Sequence, residues 1–122
     1  MLTLQSFPKV LVEYKRKPSH LKSFVAIEDG VPTAKLQLIK GATRGIMVSI
    51  GPNIIGWALC DKKDTFNLAY GIDLALRRAN IAKNLSYRNR NSFYATVPDS
   101  MREMFVRMDD RSERYFPMTD EA

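Results

Sequence analysis

The chain has 122 residues, of which 45% are hydrophobic and 26% are charged. That composition is ordinary for a globular protein and excludes a disordered chain, and the length fits one domain spanning residues 1–122. No stretch approaches eighteen consecutive apolar residues, which excludes a transmembrane helix, and the single cysteine excludes an internal disulfide.

The net charge of +6 predicts attraction to anions, either a nucleic acid, a nucleotide or an acidic protein surface. The alternative is a charge that serves solubility only. The N-terminal residues place their charges after the apolar residues, which is the reverse of a signal peptide. Together with the single cysteine, this order predicts a cytoplasmic protein.

The first sixty residues predict four or five short strands joined by tight turns, most simply an antiparallel meander. Asp29-Gly30 is a strong hairpin signal, because this pair supplies the positive φ that a two-residue turn requires. Gly51-Pro52-Asn53 interrupts an apolar, β-branched stretch and predicts a second hairpin, whose last strand ends at Cys60. The strands are predicted at residues 10–12, 22–27, 33–39 and on both sides of Gly51.

Two amphipathic helices are expected in the second half of the chain. The first has Asp64 or Thr65 as its cap, and the second has Thr96 as its cap with Asp99 as the capping-box partner. The apolar face of the first consists of Leu68, Ile72, Ala75, Leu76, Ala79 and Ala82. That of the second consists of Val97, Met101, Met104, Phe105 and Met108. The predicted fold class is therefore α+β, with an N-terminal antiparallel sheet followed by two helices.

The sequence offers little support for catalysis or for a metal. His20 is the only histidine and lies in a basic turn, and Cys60 ends an apolar strand, where a buried, inert thiol is expected. Asp61 and Asp64 are separated by two lysines, which disfavours a cation site. No phosphate-binding glycine loop is present. We expect a protein that is not an enzyme, with no catalytic residues, no metal and no cofactor.

The stretch from Ser86 to Tyr94 shows neither helical nor strand periodicity, and it interleaves rings, arginines and asparagines. Rings stack on bases, guanidinium groups bind phosphates, and amides read base edges. This composition predicts a nucleotide or single-strand site, although a surface connection with its rings in the core is an equal alternative. The predicted ligand-binding residues are Tyr87, Arg88, Arg90, Asn91, Phe93 and Tyr94, with Arg107 and Arg111 as further candidates.

The methionines of the second predicted helix have two interpretations. Methionine fills irregular gaps, so a place in the core is the default for Met101, Met104 and Met108. An apolar face of this kind in so small a protein could also pack against a second protomer. We expect a homodimer or a higher homo-oligomer.

The run GWALCDKKDTFNLAYGIDLALRRA resembles a pattern in small phage-encoded accessory proteins. The pattern is a strand ending in Gly-x-x-x-Cys, a loop with Asp-x-Phe, and a helix with a glycine and a final Arg-Ala. In this chain these positions are Gly56, Cys60, Asp64, Phe66, Gly71, Arg78 and Ala79. Within that group, the size and the order of elements are similar to the anti-Thoeris sponge family. The motif covers about a fifth of the chain and transfers no ligand-binding residue.

This resemblance implies a non-catalytic phage counter-defence protein that sequesters a small anionic nucleotide signal in the cytoplasm of an infected host cell. The signal would be of the cyclic ADP-ribose type or a cyclic oligonucleotide, held in a pocket between protomers. Two alternatives stay open: a nucleic-acid-binding accessory protein that uses the same basic surface, and an inhibitor that docks on a host protein. No membrane partner is expected.

Overall fold

A computed structural model describes residues 1–39, 41–61 and 64–117 of the chain. Within them the strands come first and the helices follow, which confirms the α+β fold class. The strands are β1 (Leu11–Arg16), β2 (His20–Glu28), β3 (Val31–Ile39), β4 (Thr43–Gly51) and β5 (Ile54–Leu59). The helices are α1 (Leu68–Lys83), α2 (Tyr87–Tyr94) and α3 (Arg102–Tyr115). None of the helices in the described ranges is long and apolar enough to cross a membrane.

The strands form two antiparallel sheets, one with the order β1-β4-β5 and one consisting of β2 and β3 alone. Val48 of β4 pairs with Val12 on one side and with Gly56 on the other. The predicted simple meander is therefore wrong, because β1 pairs with β4 rather than with β2. The physical reason is burial: β4 is buried almost continuously along its length, so it needs a strand on each edge and cover on both faces.

The three-stranded sheet lies between two helical layers. Ile46, Val48 and Ala58 point to one face, where they pack with Ala75, Leu76 and Ala79 of α1. The other face of the sheet presents residues that pack with α2, α3 and the segment between them. These residues are Leu11, Met47, Ile55, Trp57 and the half-buried Leu59. The core is thus split into two clusters by the sheet.

Two tight turns have the backbone geometry that their residues predict. Asp29 and Gly30, between β2 and β3, have φ values of 50° and 80°. Both values are positive, as the two-residue hairpin turn requires. Asn53, between β4 and β5, has a φ of 58°. Both predicted hairpins are confirmed, and the first extends from His20 to Ile39.

Helix α1 begins later than predicted. Its cap is Asn67, whose side-chain oxygen accepts a hydrogen bond from the backbone N–H of Tyr70 at 3.0 Å, so the assignment of the cap to Asp64 or Thr65 is wrong. Asp73 of α1 accepts hydrogen bonds from the backbone N–H of Leu2 and from the side chain of Arg77. These bonds hold the pKa of Asp73 below its usual range.

The segment without predicted periodicity forms helix α2, so its interpretation as an irregular stretch is wrong. Ser86 caps it by accepting a hydrogen bond from the backbone N–H of Asn89 at 3.3 Å. Thr96 follows the end of α2, where its hydroxyl donates to the carbonyl of Phe93, so it does not cap the next helix. That helix, α3, starts at Arg102 after a 3-10 turn at Asp99–Met101.

The methionines of the second predicted helix belong to the core. Met101 and Met108 are fully buried, and Met104 is nearly so. Their cluster also contains Trp57 and Tyr94. The core interpretation of these residues is confirmed, and a second protomer would have to use a different surface.

Candidate functional site

Helix α2 divides the predicted ligand-binding cluster between two faces. Tyr87, Arg88 and Asn91 are exposed on its outer side. The other three residues point inward. Arg90 and Phe93 are half-buried, and Tyr94 is buried.

The inward residues attach α2 to the rest of the protein. Nε of Arg90 donates to the carbonyl of Ala82 at 3.0 Å, and its Nη1 donates to the side-chain oxygen of Asn53 at 3.3 Å. The ring of Phe93 lies 5.1 Å from that of Trp57, centroid to centroid. These side chains are therefore committed to contacts within the chain.

Tyr94 is held by the turn between β4 and β5. Its hydroxyl accepts a hydrogen bond from the backbone N–H of Ile55 at 2.9 Å and donates to the carbonyl of Asn53. Burial raises the pKa of Tyr94 to about 12.

The arginines of α3 face β1. Arg107 lies 3.2 Å from a carboxylate oxygen of Glu13, and Arg111 lies 3.4 Å from the other oxygen. Both arginine side chains are about half exposed, so these pairs contribute little to stability. Ligand binding by Arg107, Arg111 and the six predicted residues of α2 stays a prediction.

A shallow cavity of about 340 Å³ is lined by Arg111 together with Leu11, Arg114 and Tyr115. A second concave region lies at the end of the sheet where β5 stops and α1 begins. Three adjoining cavities share Cys60, and we call them together the Cys60 groove. Their volumes are about 290, 460 and 490 Å³. Small-molecule sites occupy roughly 300–1,000 Å³, so the groove has the size of a metabolite site.

One end of the groove is aromatic. Phe66, Tyr70 and Leu74 line the first cavity. The Phe66 ring packs against Gly71, where an added Cβ would lie 2.5 Å from the ring, so the glycine of α1 allows the ring to approach the helix. The side chain of Tyr70 is 59% exposed and is available for stacking.

The other end of the groove is basic. Its cationic side chains come from the end of β1 and the start of β4, which are neighbours in the sheet. Nη2 of Arg44 donates to the carbonyl of Cys60 at 3.2 Å, which holds this guanidinium beside Cys60. Within the described residues, the Lys17 ammonium makes no ion pair. The basic residues that line this end are Lys15, Arg16, Lys17 and Arg44.

The loop after β5 adds a thiol and two carboxylates. Cys60 is half-buried, so the expectation of a buried thiol is wrong, and its Sγ donates to the carbonyl of Asp64 at 3.4 Å. Asp61 and Asp64 line the aromatic cavity, and each also lines one of the two cavities at the basic end. Among the described residues, no group of three or more histidine, cysteine or acidic side chains could hold a metal ion.

The sequence did not predict the groove because its lining residues come from four separated parts of the chain. The basic run Lys15-Arg16-Lys17 and the Asp-x-Phe loop at Asp64 were both visible in the sequence. The sequence did not show that β1 pairs with β4. This pairing places Lys17 and Arg44 at the same end of the sheet.

Neither a protein-family model, nor a curated protein, nor a solved structure matches this chain.

Proposed function

We propose that the Cys60 groove binds a small anionic nucleotide and does not turn it over. The observation that carries this proposal is the polarity of the groove, which is aromatic at one end and basic at the other. A nucleotide has the same polarity, because its base is flat and apolar on its faces whereas its phosphates are anionic.

Each end of the groove suits one part of such a ligand. Tyr70 and Phe66 offer ring faces to a base, and stacking on one ring contributes about 1–3 kcal/mol. Asp61 and Asp64, beside those rings, can accept hydrogen bonds from ribose hydroxyls. Arg44 and Lys17 supply N–H donors and positive charge for phosphate oxygens.

The chemistry of the groove favours binding without reaction. The only histidine of the chain, His20, starts β2 and does not line the groove. The thiol of Cys60 is engaged with the backbone of its own loop. The biological role that fits such binding is sequestration of a signalling nucleotide, as the resemblance to phage counter-defence proteins suggests.

Two pairs of matched variants test the proposal by calorimetric titration with ADP-ribose and with cyclic dinucleotides. Tyr70→Ala should weaken binding by about 1–3 kcal/mol, whereas Tyr87→Ala, which removes an exposed ring from α2, should not. Lys17→Gln should weaken binding, whereas Lys83→Gln, at the far end of α1, should not. Loss of binding on Tyr87→Ala alone would place the site on α2.

A salt series separates this proposal from binding of a nucleic acid. Binding of a polyanion releases many counterions, so its affinity falls by roughly 10³-fold or more between low and moderate salt. A small nucleotide carries few charges and should lose much less. Steeply salt-dependent binding of a fluorescent single strand, with no binding of the small nucleotides, would contradict the proposal.

A further inference from the structure

The hairpin of β2 and β3 has one apolar face without charges and one mixed face that carries its charged strand residues, which we call the polar face. Successive residues of a strand point to opposite faces, and residues paired across an antiparallel ladder share a face. Leu21 pairs with Leu38, Ser23 with Leu36, Val25 with Ala34 and Ile27 with Pro32, so all eight side chains share one face. That face carries no charge. The opposite face carries His20, Lys22, Glu28 and Lys35, and it also carries apolar residues, among them Phe24, Val31 and Ile39.

The apolar face is uncovered within the protomer. Its five large aliphatic side chains are 60–76% exposed: Leu21, Val25, Ile27, Leu36 and Leu38. In the described part of the chain, the hairpin makes no extensive contact with any helix or with the other sheet. A two-stranded hairpin alone is marginally stable in water and requires packing on one face or further strands. Its apolar face therefore requires a partner that this protomer does not supply.

We propose that the partner is the same face of a second copy of this chain, related by a two-fold axis. Five aliphatic side chains at this exposure leave on the order of 500 Å² of apolar surface in water on each copy. Ser23, Pro32 and Ala34 on the same face add to this area. A stable interface buries roughly 800 Å² per partner, so face-to-face packing of two hairpins comes close to that requirement.

A second copy of the chain also fits the charge distribution of the hairpin. Two identical uncharged faces meet without repulsion, since the lysines of both hairpins lie on their outer faces. The two hairpins then form a small two-layer sandwich, with sheets about 10 Å apart. This interface is independent of the proposed nucleotide site, because none of the aliphatic residues lines the Cys60 groove.

Two neighbouring residues of β3 give a matched test. Leu36 lies on the apolar face and Gln37 lies on the polar face, so Leu36→Glu and Gln37→Glu add the same charge to opposite faces. Leu36 is 69% exposed in the protomer, so the added charge should not unfold it, which circular dichroism verifies. In sedimentation equilibrium at micromolar concentrations, we expect a dimer for the wild type and for Gln37→Glu. For Leu36→Glu we expect a dissociation constant raised by roughly 100-fold or more.

Other outcomes would overturn the inference. A wild-type monomer at these concentrations would contradict it. A dimer that is unaffected by Leu36→Glu would place the interface on another surface. A monomer that co-sediments with phosphatidylcholine vesicles, and loses this property on Leu36→Glu, would make a lipid surface the partner.

Discussion

The hydroxyl of Tyr94 accepts a hydrogen bond from the backbone N–H of Ile55 at 2.9 Å, which joins α2 to the start of β5. The same hydroxyl donates to the carbonyl of Asn53, one residue before β5 begins. Because the ring is also buried between Trp57 and Phe105, Tyr94 connects the helical layer to the turn that shapes the sheet. Tyrosine is often found in ligand sites, but the hydroxyl of Tyr94 makes both of these hydrogen bonds within the chain.

We predict that Tyr94→Phe lowers the free energy of unfolding by about 1–3 kcal/mol. The substitution leaves the N–H of the buried Ile55 without its partner, and one unsatisfied buried group costs about that much. Chemical denaturation at neutral pH measures the change. Tyr87→Phe is the control, since Tyr87 is 70% exposed. Removing its hydroxyl should leave the free energy of unfolding within about 0.5 kcal/mol of the wild type.

The raised pKa of Tyr94 predicts how its contribution depends on pH. The pKa is about 12 in the folded protein and 10.0 for an unperturbed tyrosine, because burial disfavours the phenolate. The stabilisation is fully present below pH 10 and is lost as the pH rises from 10 to 12. The stability difference between the wild type and Tyr94→Phe should therefore shrink across this window. A difference that stays constant to pH 12 would contradict the assignment.

Local patterns in the sequence were sufficient to predict several parts of the fold. Asp29-Gly30 specifies its hairpin because few other pairs adopt two positive φ angles, and the alternation in β3 follows from the pleat of a strand. The helical spacing of Leu76, Ala79 and Ala82 likewise predicts the buried face of α1.

Other features depend on long-range contacts that no local pattern encodes. The pairing of β1 with β4 joins residues 27 to 38 positions apart, and it brings Lys15, Arg16 and Lys17 close to Arg44 at the basic end of the groove. Helix α2 is short and polar, with only Tyr94 fully buried, so it lacks the apolar periodicity that identifies a helix. Its cap at Ser86 and the anchoring by Arg90 stabilise it instead.

We predict that Gly56→Ala is strongly destabilising. An added Cβ at this position of β5 would lie 1.8 Å from the carbonyl oxygen of Ala75 and 2.5 Å from the nitrogen of Ala79, so α1 would have to move off the sheet. Overpacking of this kind costs roughly 3 kcal/mol or more when backbone must shift. Gly51→Ala is the matched control, because its Cβ would meet only the flexible end of Ile54. Thermal melts of both variants should show a large loss for Gly56→Ala and a small change for Gly51→Ala.

The last prediction concerns Arg88 and Arg90 of α2, which the sequence alone presents as equivalent candidates for ligand binding. Arg90 donates to Ala82 and Asn53, so Arg90→Ala should remove the bonds that hold α2 against α1 and the β4–β5 turn. We expect a loss of about 1–3 kcal/mol in the free energy of unfolding, since hydrogen bonds to a charged group contribute about that much. Arg88 is exposed on the opposite face, and Arg88→Ala should leave the melting temperature unchanged.

Ligand titration of the same two arginine variants then distinguishes the two locations for a nucleotide. If the Cys60 groove is the site, Arg88→Ala binds as the wild type does, and Arg90→Ala binds normally at temperatures where it is folded. If Arg88→Ala loses affinity for ADP-ribose at an unchanged melting temperature, its exposed guanidinium contacts the phosphates directly. The ligand would then lie on the outer face of α2, beside Tyr87 and Asn91, and not in the groove.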